Sequence, residues 1–306
     1  MDKRIIKALT SPSFACLAIL HKLSPLIKSD ELYLKIVYWL SMGKRLNLKN
    51  PKTFNEKLQW LKLYNRKPEY TIMVDKVKAK EYVAKIIGKE HIIPTLGVWD
   101  DPDEIDFDAL PNQFVLKCNH NSGMGMCMCI CRNKSKLDIA KVKRELRKGL
   151  RQDYYMTNRE WPYKNVPRKI MAEKFMQDGN KPDLTDYKFF CFNGEPKMMY
   201  VSHDNAEHAT TDFFDMDYNR LPIRMKDPNS EVLPEQPKEF EEMKQYARQL
   251  SKNMPFLRVD FYVICHVVYF GELTFFHNSG LTPIRPTEWE YKIGKWLKLP
   301  SAAFGS

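Results

Sequence analysis

The chain has 306 residues, 43% hydrophobic and 12% aromatic, which is enough to bury a substantial core in one large or two modest domains and excludes a disordered chain. Its 49 Lys and Arg against 38 Asp and Glu leave a net charge of +11, a balance that favours phosphate-bearing partners: nucleotide, nucleic acid, sugar nucleotide or an anionic membrane face. The seven cysteines are odd in number and form no secreted disulfide framework, so a reducing compartment is expected, the cytoplasm by default.

At the N-terminus the apolar run Phe14 to Leu20 is stopped by His21 and Lys22, far short of the ~20 residues a membrane span needs. With Lys3, Arg4, Lys7, Lys22 and Lys28 around it, the stretch suits either a packed helix or a helix lying on the inner face of an anionic membrane. Thr53 and Glu56 stand in capping-box spacing before Leu58, Trp60, Leu61 and Tyr64, predicting a helix that begins near residue 53. A second helix is expected from about Val74 to Ile87, stopped by Gly88.

From Phe114 the period changes to two. Phe114 to Lys117 reads as a strand, followed by a polar loop with Gly123 and Gly125, then the alternating segment Met126 to Ile130. Cys127, Cys129 and Cys131 alternate and are expected as buried thiols on one strand face instead of a metal knuckle. Basic and amphipathic helices follow around Ile139 to Leu150 and Phe240 to Leu250, and Asn193-Gly194 predicts a tight hairpin. Lys226 to Lys238 reads as a surface connection. A helical region over 1–66 followed by an α+β body over 67–300 fits this order.

Lys117 at a strand end before a loop rich in backbone N–H groups suits a polyphosphate, although it is not a P-loop, whose lysine follows its glycines. Lys188 shares a strand face with Phe190 and Phe192, a poor place for a cation unless an anion meets it. The segment Glu173, Lys174, Phe175 ends a strand where free backbone groups could read an adenine edge. Most informative is the last hairpin, where Asp260 and Glu272 intrude on two apolar strands. A turn centred on one residue near Cys265 and His266 would bring Arg258, Asp260, Glu272 and Thr274 together, whereas a two-residue turn would separate them. Such hard oxygen ligands suit Mg²⁺, completed by substrate phosphates and water, with Arg258 near the transferred group. Asp215-Met216-Asp217 offers a competing metal pair of the kind found in glycosyltransferases, or a simple turn beside Tyr218 and Asn219. His203 and His208 lack a third ligand. A non-catalytic nucleic-acid or membrane binder would leave the two acids that intrude on the late hairpin without a purpose, and no nucleic-acid partner is expected.

In order, Lys117, the Gly loop, Glu173, Lys188, Arg258-Val-Asp260 and Glu272 resemble the ATP-grasp superfamily. More closely, Asn50-Pro-Lys-Thr-Phe-Asn-Glu-Lys57, Asp75-Lys76, Trp161-Pro-Tyr-Lys164, Asp186-Tyr-Lys188, Gly271-Glu-Leu-Thr274 and Trp296-Leu-Lys-Leu-Pro300 resemble the TupA-like ATP-grasp family over about residues 45–300. The resemblance implies two α+β subdomains with antiparallel sheets, about 67–170 and 171–300, closing on Mg-ATP. It implies phosphate contacts from Lys117 and Lys188, a lid over His120, Asn121, Ser122, Gly123 and Gly125, and adenine or ribose contacts from Glu173, Lys174 and Phe175. Asp260 and Glu272 would bind the metal. Thr274 stands where many ATP-grasp ligases carry an asparagine, and Asn278 in Phe276-His-Asn-Ser-Gly280 is expected to substitute as ligand or as acceptor guide. Family members are linked to bacterial cell-surface polymers and are often labelled glycosyltransferases. The implied chemistry is ATP-dependent ligation through an acyl phosphate, with a small-molecule or glycan-linked acceptor.

Overall fold

The computed structural model describes residues 12–122, 127–179, 184–203 and 209–301. Helices α1 (Pro12–Leu23) and α2 (Asp30–Met42) form a hairpin with its own core of Leu20, Tyr33, Leu34, Val37, Tyr38 and Leu46. Ser29 starts α2 by accepting from the Leu32 amide, and Gly43 ends it at φ 67°. Helix α3 (Phe54–Tyr64) begins at Thr53 with the expected capping box. The helix expected over 74–87 starts only at Lys78, as α5 (Lys78–Ile87), and is preceded by a short helix not expected from the sequence, α4 (Glu69–Val74). The break lies at Asp75, whose Oδ1 accepts from the Val77 amide at 3.0 Å and from Asn119 Nδ2 at 2.8 Å, drawing the chain away from the helix ladder.

Two antiparallel sheets make the body. The smaller has the order β1 (Thr95–Trp99), β4 (Ile170–Lys174), β2 (Phe114–Cys118), β3 (Cys129–Cys131). Its core joins Phe114, Leu116 and Ile170 to Val142 and Leu146 of α6 (Ile139–Leu150). Cys127 has φ 49° and stands outside β3, so the three alternating cysteines do not share one strand face; Cys131 is buried, Cys127 and Cys129 are half-buried, and all are free thiols. Met126 lies outside the described residues.

The larger sheet has the order β7 (Thr210–Phe214), β6 (Glu195–His203), β5 (Asp186–Phe192), β8 (Phe256–Ile264), β9 (Val267–Thr274). Asn193 at φ 53° and Gly194 at φ 85° make the tight β5–β6 turn that their sequence predicts. The short α7 (Tyr154–Asn158) precedes β4, while α8 (Phe240–Leu250) and α9 (Glu288–Trp296) flank the larger sheet. Its core also takes in Tyr70 and Met73 of α4 and Val83 and Ile87 of α5, so the apolar side chains of residues 69–87 pack with the second sheet. Since β4 pairs with β1 and β2, the sheets divide after Lys174 and not at the expected 170/171 boundary. Among the described residues no helix is long and apolar enough to cross a membrane.

Candidate functional site

Strands β8 and β9 are joined by a two-residue turn, Cys265 and His266, both left-handed, with Ile264 paired to Val267. The one-residue turn expected from the sequence is therefore wrong, yet the two acids still meet. Phe261 pairs with Phe270, but Asp260 pairs with Glu272, because a bulge between Asp260 and Phe261 leaves Gly271 as the extra residue. A Cβ on Gly271 would lie 3.1 Å from the Asp260 carbonyl oxygen, so glycine suits this close approach. On the other side of β8, Asp260 pairs with Lys188, and two residues along Arg258 pairs with Thr274. The result is a row across three strands: Lys188, Asp260, Glu272.

Opposite charges bind this row together. Arg258 holds Asp260 bidentately, Nε to Oδ1 and Nη2 to Oδ2, each at 2.7 Å. Lys188 Nζ lies 2.8 Å from Asp186 and 3.4 Å from Asp260, the anions that its place among apolar side chains requires. Burial works against the Lys188 charge, but Asp260 and then Asp186 outweigh it and raise its pKa. Burial pushes the Asp186 carboxyl up, with Lys188 only partly countering. Glu272 meets Lys76 at 3.0 Å; burial would raise its carboxyl, yet Lys76, then Arg258, hold it down to about 2. Arg258 Nη1 donates to His277 Nδ1 at 2.9 Å, and burial together with the Arg258 charge keeps that imidazole neutral.

Among the described residues, no group of three or more His, Cys, Asp or Glu is arranged to hold a metal ion. The donor set here is two carboxylates in register plus Thr274, whose buried Oγ1 has no hydrogen-bond partner. Two carboxylates with room for phosphate and water are what Mg²⁺ ordinarily uses.

Across from this row stands the smaller sheet. Glu173 bridges Lys80 at 2.6 Å and Lys117 at 2.5 Å; burial would raise its pKa, and Lys117 and Lys80 lower it. A cavity of about 470 Å³ opens between the sheets, walled by Val115, Lys117, Ile130, Glu173, Lys174 and Phe175 on one side and by Asp186, Tyr262, Phe270 and Gly271 on the other. A narrower hollow shares Lys117, Glu173, Phe270 and Gly271 with it and continues to Lys76, Lys80 and Glu272. The cavity thus adjoins a hollow lined by Lys76, Lys80 and Lys117 and reaching Glu272.

His120 and Asn121 belong to the root of the loop after β2. His120 Nε2 lies 3.2 Å from the Gln152 carbonyl, Asn121 Nδ2 donates to the Gly149 carbonyl at 3.0 Å, and both residues are buried. Ser122 is half-buried. Gly123 and Gly125 lie outside the described residues, as do His208 and the side chain of His203. Asp215 is committed to a turn: its Oδ1 accepts from the Asp217 and Asn219 amides, and its Oδ2 from Asn219 Nδ2. Asp217 is exposed.

Several residues at the site carried no chemical signal of their own in the sequence. Lys76, readable there only as part of Asp75-Lys76, touches Glu272 and the Asn121 carbonyl, and Lys80 grips Glu173. The stretch around Asn50 to Lys57 also acquires a purpose. Helix α3 holds the loop after β9: Asn55 donates to the Thr282 carbonyl, Gln59 to those of Ser279 and Gly280, and the fully buried Lys62 to that of Ser279. Those bonds stabilise consecutive left-handed residues Asn278, Ser279 and Gly280.

No curated protein matches the sequence. Among solved structures, D-alanine–D-alanine ligase from Bacillus anthracis is 17% identical, with a TM-score of 0.39 over 66% of this chain and 57% of that enzyme. The same ligase from Helicobacter pylori is 14% identical, with a TM-score of 0.42 over 80% of this chain and 69% of that one. ATP-grasp ligase PsnB, solved with a precursor variant, Mg and ADP, is 10% identical, with a TM-score of 0.42 over 79% and 65%. The chain therefore spans only a little over half of the Bacillus anthracis enzyme. The sequence profile of the TupA-like ATPgrasp family matches residues 56–298, which include every residue of the Lys188, Asp260, Glu272 row, and the chain belongs to that family.

Proposed function

We propose that the protein is a Mg-ATP-dependent ligase in which a carboxylate attacks the γ-phosphate of ATP. ADP leaves, and an amine or other nucleophile then displaces phosphate from the acyl phosphate. The single observation that carries this reading is the in-register row Lys188, Asp260, Glu272, of which Glu272 lines a hollow that adjoins a cavity walled by both sheets. In this reading Val115, Ile130, Phe175 and Phe270 bury the base, Glu173 to Phe175 face it, and Lys117, Lys76 and Lys188 take the phosphates. Arg258, oriented by His277, faces the phosphoryl group in transfer. Asp260, Glu272 and Thr274 would hold Mg²⁺, which supplies charge neutralisation at the phosphates. Positioning and electrostatics then provide most of the acceleration, so no strong protein base is needed. The acceptor in this reading is a small-molecule or glycan-linked nucleophile, and the family resemblance supports a place in bacterial cell-surface polymer synthesis. With Asp215 engaged in its turn, the metal-dependent glycosyltransferase reading gains no support.

The test is to incubate the protein with Mg-ATP, hydroxylamine and a panel of amino acids and uronic acids. Hydroxamate formed in step with ADP supports an acyl phosphate. Turnover of sugar nucleotides that survives Asp260→Asn and is lost in Asp217→Asn would replace ligation with sugar transfer.

A further inference from the structure

Of the large apolar side chains that the described residues expose, five fall within 21 residues of the N-terminal hairpin: Ile19, Leu23, Leu26, Leu32 and Trp39, between 46% and 76% exposed. In α2, Tyr33, Leu34, Val37 and Tyr38 fill the hairpin's core, while Leu32 and Trp39, two turns apart, face outward. In α1, Leu20 is buried and Ile19 and Leu23, one turn apart, are exposed. A helix apolar on both sides needs a second apolar environment besides its own core.

The charge pattern says which. Between Asp2 and Asp30 the sequence has no acidic residue, but it carries Lys3, Arg4, Lys7, Lys22 and Lys28. Lys22 and Lys28 are exposed. Neither helix exceeds 13 residues, too short to span a bilayer but suited to lying in its interface. Cations interleaved with leucines, isoleucine and a tryptophan match the boundary between anionic headgroups and acyl chains.

We infer that the α1–α2 hairpin docks on an anionic phospholipid surface, with Leu26 and Trp39 inserted and Lys22 and Lys28 on the headgroups. This goes beyond the nucleotide reading and does not depend on it. The hairpin is also fastened to the body. Arg159, 2% exposed, donates to the Ser24 and Ile27 carbonyls at 2.8 and 2.9 Å, and Tyr33 donates to the Thr157 carbonyl at 2.6 Å. The next residue, Glu160, accepts from Ser279 in the loop after β9. Docking therefore fixes that loop relative to the bilayer.

The full chain is sedimented with phosphatidylcholine vesicles with and without about one third phosphatidylglycerol. Wild type is expected to pellet with the anionic vesicles and stay in solution with the neutral ones. Leu26→Glu/Trp39→Glu and Lys22→Glu/Lys28→Glu, both on exposed positions and melting like wild type, should each weaken binding about ten-fold or more. No binding by wild type, or undiminished binding by the first double variant, overturns the inference. So does a wild-type dimer in solution that ignores vesicles and is dissociated by Leu26→Glu/Trp39→Glu, since the hairpin would then meet a second copy of the chain.

Discussion

Asp260 is 3% exposed and carries a charge that burial would penalise heavily if it stood alone, but Arg258 and Lys188 enclose it and its neighbour Glu272 takes Lys76. In the proposed reading each of these cations would be a charge-assisted donor to a phosphate. Replacing Lys117 or Lys188 by methionine should weaken ATP binding roughly ten- to a hundred-fold, from the ~1.5–3 kcal/mol of one such bond, as titration calorimetry would show. The Glu272 carboxyl, held near 2 against an ordinary 4.5, stabilises the fold above about pH 4.5 and loses that contribution as the pH falls towards 2. Denaturant unfolding should accordingly show a shallower loss between pH 4.5 and 2 in Glu272→Gln than in wild type. At this scale the sequence was legible wherever a charge interrupts an apolar strand, as at Lys188, Asp260 and Glu272. It did not reveal the partners of Lys76, Lys80 and His277, whose surroundings are polar or mixed locally and whose partners lie up to 196 residues away.

Among the elements, the β8–β9 hairpin shows how register can be misread. Cys265 and His266 carry no Asn-Gly or Asp-Gly signature, and the compensating bulge at Gly271 is a backbone feature that alternation of side chains cannot reveal. Gly271→Val should crowd the Asp260 carbonyl, cost about 1–3 kcal/mol in denaturant unfolding, and weaken nucleotide binding by disturbing the Asp260–Glu272 pair. Helix α3 makes a separate prediction. Burial lowers the pKa of Lys62 to about 8, the nearby Glu160 charge partly countering, and burial likewise raises that of Glu160. Lys62→Met would leave Glu160 buried with one cation fewer and should destabilise the protein by about 3 kcal/mol. The capping box of α3 was plain in the sequence. Its grip on the loop at 278–280 was not, because those contacts join residues more than 200 positions apart.

For the whole molecule, period-two segments and tight-turn residues predicted an α+β body with an antiparallel hairpin, the family resemblance implied antiparallel sheets, and the family match covers 56–298. The partition of residues between the sheets was less accessible, since α4 and α5 precede the smaller sheet in sequence yet pack on the larger one, where their apolar faces find a deeper core. The cleft belongs to both sheets, with the lysines of one facing the acids of the other. A ligand that binds the native cleft and not the unfolded chain stabilises the native state, by about 2.7 kcal/mol at a hundred times its Kd. The most direct measurement is the thermal shift produced by saturating Mg-ATP in wild type, Asp260→Asn and Glu272→Gln. The account predicts a rise of several degrees in wild type and little or none in either variant. An equal rise in all three would contradict it.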